Sequence, residues 1–193
     1  MNDRKPLPQH LNDFLDYLEV EKGLSNRSQE NYARFLNKFF EWLYENDLGQ
    51  LSPAQLTTDH VWKYRLHLSR HVDPRTQKTL KKSTQNYYLI ALRSYLQYFV
   101  EKNIDTLPPS KIKLAKDKGD KQINFLKLDQ LKRLLNAPDT KDSKGLRDKA
   151  ILEVLFSTGL RVSELISLDR DQVRIKRNTK EMELTIVGKG EKI

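Results

Sequence analysis

Two basic residues stand at positions whose neighbours suit phosphate chemistry. Arg161 lies where an apolar helical pattern has ended at Gly159 and the next helix begins. A guanidinium and the backbone amides of a helix start would converge there on one small volume, which suits a phosphate or a developing oxyanion. The same spacing also fits a structural arginine that pairs with Glu164 or with helix C-terminal carbonyls. Both interpretations stay open on this segment alone.

The second residue, Lys189, lies between Gly188 and Gly190 after an alternating pattern typical of β-strands. Flanking glycines let a backbone approach a ligand closely, and a lysine at a hairpin tip can reach a distant reacting centre. Most lysines at such tips are simply solvated, so this position is ambiguous by itself. The G-x-x-x-x-G-K-S/T spacing of a nucleotide-binding loop is absent, which gives nucleotide hydrolysis little support.

The composition favours a polyanionic partner and excludes several kinds of site. The 193 residues include 35 Lys and Arg against 26 Asp and Glu, for a formal net charge of +9. The basic excess occurs in both halves of the chain, so a shared polyanion explains it better than a basic tail. The absence of cysteine excludes disulfides, thiolate chemistry and cysteine-based zinc sites. No apolar run approaches the about 20 residues of a membrane span, and no signal peptide is visible, so we expect a cytoplasmic protein without a membrane partner.

Residues 1–104 show only helical periodicity. Apolar residues recur at every third or fourth position in four segments separated by short polar connections. The predicted starts of these helices are near Leu11, at Ser28, at Thr57 or Thr58, and at Ser83 or Thr84. Four helices with short connections predict a compact bundle.

Residues 105–124 interrupt this periodicity. Leu107-Pro108-Pro109 blocks a helix, and lysines greatly outnumber aspartates from residue 111 to residue 127. We interpret 105–124 as a basic interdomain linker. It is either a solvated spacer or a strap along a phosphate backbone, and the sequence leaves both open.

Residues 125–193 predict three helices followed by a β-hairpin. Helical spacing covers residues 128–135, about 146–157 and 162–168, with Gly159 as a helix stop. From Gln172 the period changes to two, with a turn at Asn178-Thr179. The third strand that should follow the turn at residues 188–190 is missing, because the chain stops at Ile193. An unpaired strand edge and a half-covered core predict that this chain is the front part of a longer polypeptide.

These features together resemble the N-terminal part of a tyrosine recombinase of the phage integrase family, in the style of the Xer recombinases. The segments Thr158–Leu165 (Thr-Gly-Leu-Arg-Val-Ser-Glu-Leu) and Val187–Lys192 (Val-Gly-Lys-Gly-Glu-Lys) carry the resemblance, supported by Ser83-Thr84 and Leu92-Arg93. It covers the whole chain and implies a mainly α fold. The implied parts are a four-helix, SAM-like core-binding domain (1–104), the linker (105–124) and the α-helical and β-hairpin start of a catalytic domain (125–193).

The resemblance implies site-specific DNA recombination or integration without a metal or other cofactor. In the family a tyrosine attacks the scissile phosphate, which leaves a 3'-phosphotyrosyl link and frees a 5'-hydroxyl. Arg161 matches the first catalytic arginine, expected to hold the non-bridging oxygens. Lys189 matches the hairpin lysine, expected to act as general acid toward the leaving 5'-oxygen. The implied partners are double-stranded DNA and, for the full-length protein, other recombinase protomers on DNA.

The remaining catalytic residues of the family follow that lysine and have no counterpart in this sequence. They are a His-x-x-Arg pair, a further His or Trp, and the nucleophilic Tyr. The histidines lie at positions 10, 60, 67 and 71, and no tyrosine follows Tyr98. The tyrosines at 87, 88, 95 and 98 have packing spacing and are expected to be core or interface aromatics. We therefore expect this chain to bind DNA without cleaving it.

Ten residues are predicted to contact DNA in this interpretation. They are Asn26, Arg27, Arg34, Lys81, Lys82, Thr84, Asn86, Arg93, Lys111 and Lys113. Most should contact phosphate, with Asn86 and Arg27 as base readers, and the alternative for each is a solvated helix face. Two other functions stay open: a non-catalytic DNA-binding regulator of the same fold, and a helical protein-interaction module whose charge serves solubility.

Overall fold

The computed structural model describes residues 5–73, 76–115, 125–175 and 182–184, with side chains described up to residue 173. The chain divides into two units, residues 1–120 and 121–193. The described part is mainly helical, as the sequence predicts. No helix in it combines the length and the apolarity that a lipid bilayer would require.

The described residues of the first unit form four α-helices. They are α1 (Leu11–Val20), α2 (Asn26–Glu45), α3 (Thr58–Arg70) and α4 (Lys82–Glu101). Short 3-10 turns lie at Leu7–His10, Pro53–Gln55 and Pro109–Lys111. The four predicted helices are confirmed, and their apolar stripes face one another in a shared core.

The helix starts show which predicted caps form. Thr57 caps α3: its hydroxyl accepts a hydrogen bond from the backbone N–H of His60 at 3.3 Å, and the His60 ring accepts one from the Thr57 N–H at 3.2 Å. α4 begins at Lys82, before the Ser83 or Thr84 start that the sequence predicts, and no side chain caps it. Gln85 instead reaches back to the Leu80 carbonyl at 2.8 Å, which secures the chain just before the helix.

Aromatic rings fill the centre of the first unit. Phe14, Phe39, Tyr64, Tyr95 and Phe99 are all fully buried. Phe14 meets Tyr95 edge-to-face at 5.1 Å, and Phe39 meets Tyr64 in the same way at 4.9 Å, arrangements that aromatic pairs favour. These contacts join α1 to α4 and α2 to α3 within the one core that all four helices share.

The first unit extends past the predicted boundary at residue 104. Ile112 is fully buried, and Leu107 and Leu114 pack against the core from partly buried positions. The start of the segment interpreted as a linker is therefore packed on the bundle. The rest of that segment, residues 116–124, lies outside the described residues.

The described residues of the second unit form three α-helices and a pair of strands. They are α5 (Leu128–Leu135), α6 (Ser143–Thr158), α7 (Val162–Ile166), β1 (Val173–Ile175) and β2 (Met182–Leu184). β1 and β2 pair antiparallel, with Val173 opposite Leu184. The turn predicted at 178–179 lies outside the described residues. Gly159 ends α6 with a left-handed φ of 67°, as the sequence predicts.

The apolar residues of the second unit are largely uncovered. No side chain described between residues 125 and 173 is buried. Leu128, Phe156 and Ile166 expose 64%, 57% and 78% of their surface. This contrasts with the first unit, where the corresponding helix faces meet in a closed core.

Candidate nucleic-acid interface

The start of α2 presents the first group of predicted contacts. Asn26 is the first residue of the helix, and both Asn26 and Arg27 are exposed. Arg27 forms an ion pair with Glu30 at 3.1 Å, one turn further along the helix. Because both side chains are largely solvated, this pair contributes little and leaves Arg27 available to a stronger anion.

Arg34 connects α2 to the N-terminal half of α4 through two rings. Its guanidinium lies over the Phe35 ring at 5.0 Å, and its Nη2 donates to the Asn31 side chain at 3.1 Å. Phe35 stacks on Tyr87 with ring centroids 6.0 Å apart and an interplanar angle of 9°. The stack fixes Arg34 beside an exposed tyrosine of α4.

The start of α4 carries the second group. Lys81 and Lys82 are exposed at the N-cap and first positions, and Thr84 is half-buried one turn later. Lys78, in the loop before the helix, is also exposed and was missed by the sequence analysis. The unsatisfied N–H groups at a helix start add positive potential to these lysines.

Asn86 and Arg93 bind the chain itself. The Asn86 amide donates to the Ala115 carbonyl at 2.9 Å and accepts from the Ala115 N–H at 3.0 Å. Nη2 of Arg93 donates to the carbonyl of Ile112. Both side chains therefore hold residues 112–115 against α4, and the Asn86 groups that a base reader would use are already engaged.

Lys111 and Lys113 project from this docked segment. Both are exposed, while Ile112 between them is fully buried. Lys111 ends the 3-10 turn and Ile112 adopts an extended conformation, and the side chains on both sides of the buried Ile112 face solvent. The lysines at 116, 118 and 121 lie outside the described residues.

Arg161 occupies the N-cap position of α7 and is paired with Glu164. Its Nη1 donates to Glu164 Oε1 at 2.6 Å, and its backbone N–H donates to Oε2 at 2.8 Å. Both hydrogen bonds lower the pKa of the Glu164 carboxyl, and the one from the backbone N–H has the larger effect. The Arg161 side chain nevertheless keeps 74% of its surface exposed, so most of its guanidinium donors face solvent. Lys189 lies outside the described residues.

Tyr95 and Tyr98 are positioned for packing. Burial raises the pKa of both phenols. The Tyr95 hydroxyl donates to the Leu7 carbonyl at 2.5 Å, which ties α4 to the start of the chain. In this part of the fold the tyrosines support the core, while exposed lysines and arginines form the surface that can bind an anion.

Comparison with known families agrees with this architecture. Residues 11–103 match the family described as phage integrase, N-terminal SAM-like domain, and residues 124–193 match the phage integrase family. The chain belongs to the phage integrase family of tyrosine recombinases. The two matched segments correspond to the helical bundle and to the second unit.

Curated relatives of this phage integrase family member are named tyrosine recombinases. The chain is 36% identical over 162 residues to "Tyrosine recombinase XerC" of Pelotomaculum thermopropionicum, covering 83% of this chain and 51% of that protein. It is 32% identical over 184 residues to "Tyrosine recombinase XerD" of Pseudomonas putida, covering 94% and 56%. A "Tyrosine recombinase XerD" of Haemophilus influenzae is 31% identical over 179 residues, covering 93% and 56%. The chain thus spans about half the length of these relatives.

Proposed function

We propose that this chain acts in site-specific recombination of DNA, as the duplex-binding portion of a tyrosine recombinase together with the start of its catalytic domain. Family membership and the names of the relatives support this function. The chain by itself binds duplex DNA and does not cleave it, because no tyrosine follows Tyr98 and no His-x-x-Arg pair follows Lys189.

One observation carries the DNA-binding part of this proposal. The Phe35–Tyr87 stack joins the N-terminal halves of α2 and α4. Arg34 and Lys82 are exposed on these halves, and Lys81 is exposed at the N-cap of α4. Such a surface neutralises several backbone phosphates at once, which supplies sequence-independent affinity. Arg27 at the start of α2 is the candidate base reader, since an exposed arginine can bind guanine through two hydrogen bonds.

Arg161 is the candidate phosphate ligand of the second unit. Glu164 holds its backbone and one guanidinium nitrogen, which orients the side chain, and the other donors have no partner among the described residues. Two non-bridging oxygens of a phosphodiester match that arrangement of donors. In the proposed function Arg161 would stabilise negative charge on the scissile phosphate, and Lys189 would protonate the leaving 5'-oxygen.

Salt dependence of duplex binding tests the proposal. A fluorescein-labelled duplex of random sequence is titrated with the 193-residue chain at increasing salt, and anisotropy reports binding. Contact with about six phosphates predicts a loss of about 10³-fold in affinity between about 50 mM and 200 mM salt. A flat response, or no binding at low salt, would contradict the proposed function.

A second assay addresses cleavage. The chain is incubated with nicked and intact duplexes, and covalent protein–DNA products are sought on a denaturing gel. We expect none, because the chain lacks the nucleophile. A covalent adduct that a Tyr87→Phe or Tyr88→Phe change removes would show that another tyrosine attacks the phosphate, and would contradict this part of the proposal.

A further inference from the structure

A groove between α3 and α4 lies beside the proposed DNA-binding surface. It encloses a cavity of about 160 Å³, lined by Trp62, Arg65 and Ser69 of α3, by Gln85 and Asn86 of α4, and by Ala115. On α3 these residues follow the i, i+3, i+7 spacing of one helix face, which is offset from the buried stripe of Val61, Tyr64 and Leu68. One wall of the groove is therefore a second face of α3, separate from its buried stripe.

The described residues that line this groove carry a positive charge, and no aspartate or glutamate occurs among them. Arg65 has no carboxylate within ion-pair distance in the part of the chain that the structure describes. By contrast, Lys63 on the neighbouring face of α3 pairs with Asp59 at 2.8 Å. A half-buried arginine without a counter-ion at the wall of a groove fits an external anion.

Trp62 adds a large apolar surface to the same groove. Its side chain is 56% exposed, whereas Trp42, the other tryptophan, is 3% exposed. An indole presents a flat face on which a sugar or base can pack. A cation next to an exposed aromatic ring matches the alternating phosphate and deoxyribose of a nucleic-acid strand.

The groove is continuous with the residues already assigned to DNA. Gln85 and Asn86 follow Lys82 and Thr84 along α4. Asn86 and Ala115, which two hydrogen bonds join, both line the groove, and the exposed Lys113 precedes Ala115 by two residues. The predicted DNA contacts Lys82 and Lys113 are therefore close in sequence to residues that line the groove.

We propose that this groove binds the phosphate–deoxyribose backbone of duplex DNA, with Arg65 on a non-bridging oxygen and Trp62 against the sugar. The inference rests on the proposed function and adds α3 to the surface formed by α2 and α4. Arg65 contributes one charge-assisted hydrogen bond and releases about one counter-ion. The groove thereby fixes the lateral position of the bundle on the duplex.

Tryptophan fluorescence tests this assignment directly. Acrylamide quenching is measured on the 193-residue chain with and without an unlabelled random duplex at low salt. We expect DNA to reduce quenching of Trp62 at least twofold, since it covers the exposed indole. In Trp62→Phe only the buried Trp42 emits, and DNA should leave its quenching unchanged.

Duplex binding by variants of Arg65 provides a second test. Arg65→Ala should weaken duplex binding about tenfold and lower the salt slope by about one, and Arg65→Lys should recover part of both. Lys22→Ala is the matched control, because Lys22 pairs with Glu101 near the opposite end of α4. This variant should have the wild-type affinity and the wild-type salt slope. Circular dichroism melting of each variant verifies folding.

The outcomes separate this inference from the proposed function. If anisotropy shows saturable binding while Trp62 quenching and the Arg65→Ala affinity stay at wild-type values, the groove faces away from DNA and the inference is wrong. If the wild-type chain does not bind duplex at all, both proposals fail. Protection of Trp62 together with an unchanged Arg65→Ala affinity would also overturn the phosphate contact.

Discussion

Asn86 on α4 and Ala115, 29 residues later, share two hydrogen bonds of 2.9 and 3.0 Å. Together with the contact from Arg93 to the Ile112 carbonyl, this pair holds residues 112–115 on the bundle. Side chains of α4 thus fix the path of residues 112–115 along the first unit. Lys111 and Lys113 are exposed on this docked stretch, which links the packing of the bundle to its charged surface.

Replacing Asn86 by Ala should destabilise the first unit by about 1–2 kcal/mol. The change leaves the partly buried N–H and C=O of Ala115 without their partner. The matched control is Asn37→Ala, at an exposed position of α2, which makes the same change in helix propensity without losing such a pair. Urea unfolding of both variants measures the difference, and equal stabilities would contradict a structural role for Asn86.

Replacing Ile112 by Ala should cost about 2–4 kcal/mol, because it removes a fully buried side chain from the core. The neighbouring Lys113→Ala should change the free energy of unfolding by about 0.5 kcal/mol or less, since Lys113 is exposed. Urea unfolding again provides the measurement. An Ile112→Ala cost as small as that of Lys113→Ala would place residue 112 in a solvated linker.

Stability of the first unit should fall as the pH drops below 6.5. His10 is almost fully buried, with its ring against Phe99 at 5.0 Å and Nε2 3.2 Å from the Lys5 carbonyl. Burial, followed by the charge of Lys5, lowers the pKa of His10 from its ordinary 6.5, although Asp13 opposes the shift. Below pH 6.5 the unfolded chain therefore binds more protons than the folded one. The stability that neutral His10 contributes is fully present above pH 6.5 and is lost as the pH falls through the lowered pKa of the folded state.

A His10→Gln variant isolates this effect, since its amide can still donate to the Lys5 carbonyl. Unfolding free energies are compared from about pH 7 to about pH 5.5, a range that histidine titration dominates. The variant should lose less stability than the wild type over this range. Some dependence should remain, because burial also lowers the pKa of His67. Identical pH profiles would contradict the role assigned to His10.

Gly23 should resist substitution for reasons of backbone conformation alone. Its φ is 60°, and a Cβ built there meets no atom within 4 Å. Gly23→Ala should therefore cost about 1–2 kcal/mol through left-handed strain, and Gly23→Asn should cost less. Thermal unfolding of the two variants measures this order, and a neutral Gly23→Ala would show that the backbone relaxes at this position.

The helices could be predicted from the sequence because their apolar periodicity and their packing agree. Leu89, Leu92, Leu96 and Phe99 recur along α4, and all are buried. The start of α4 was predicted too late because Ser83 and Thr84 are typical caps, whereas Gln85 secures the preceding turn by binding the Leu80 carbonyl. One local side-chain contact thus formed in place of another.

The contacts of polar residues were harder to predict. Asn86 and Arg93 have the spacing of a solvated helix face, and their partners are backbone groups of a segment without periodicity. The i, i+3 spacing of Arg161 and Glu164, by contrast, suggested their pairing in advance, as one of two open alternatives. Trp62 and Arg65 were overlooked, although an aromatic residue outside the buried stripe of α3 marks an exposed face.

Salt slopes of two variants test the central claim that the exposed start of α4 binds DNA phosphates. Replacing both Lys81 and Lys82 by Ala should reduce the slope of log affinity against log salt by about two, because two phosphate contacts are lost. Lys102→Ala, at the other end of α4 where Lys102 pairs with Glu21, should keep the wild-type slope. A wild-type slope in the double variant, or an equal reduction in Lys102→Ala, would contradict the account.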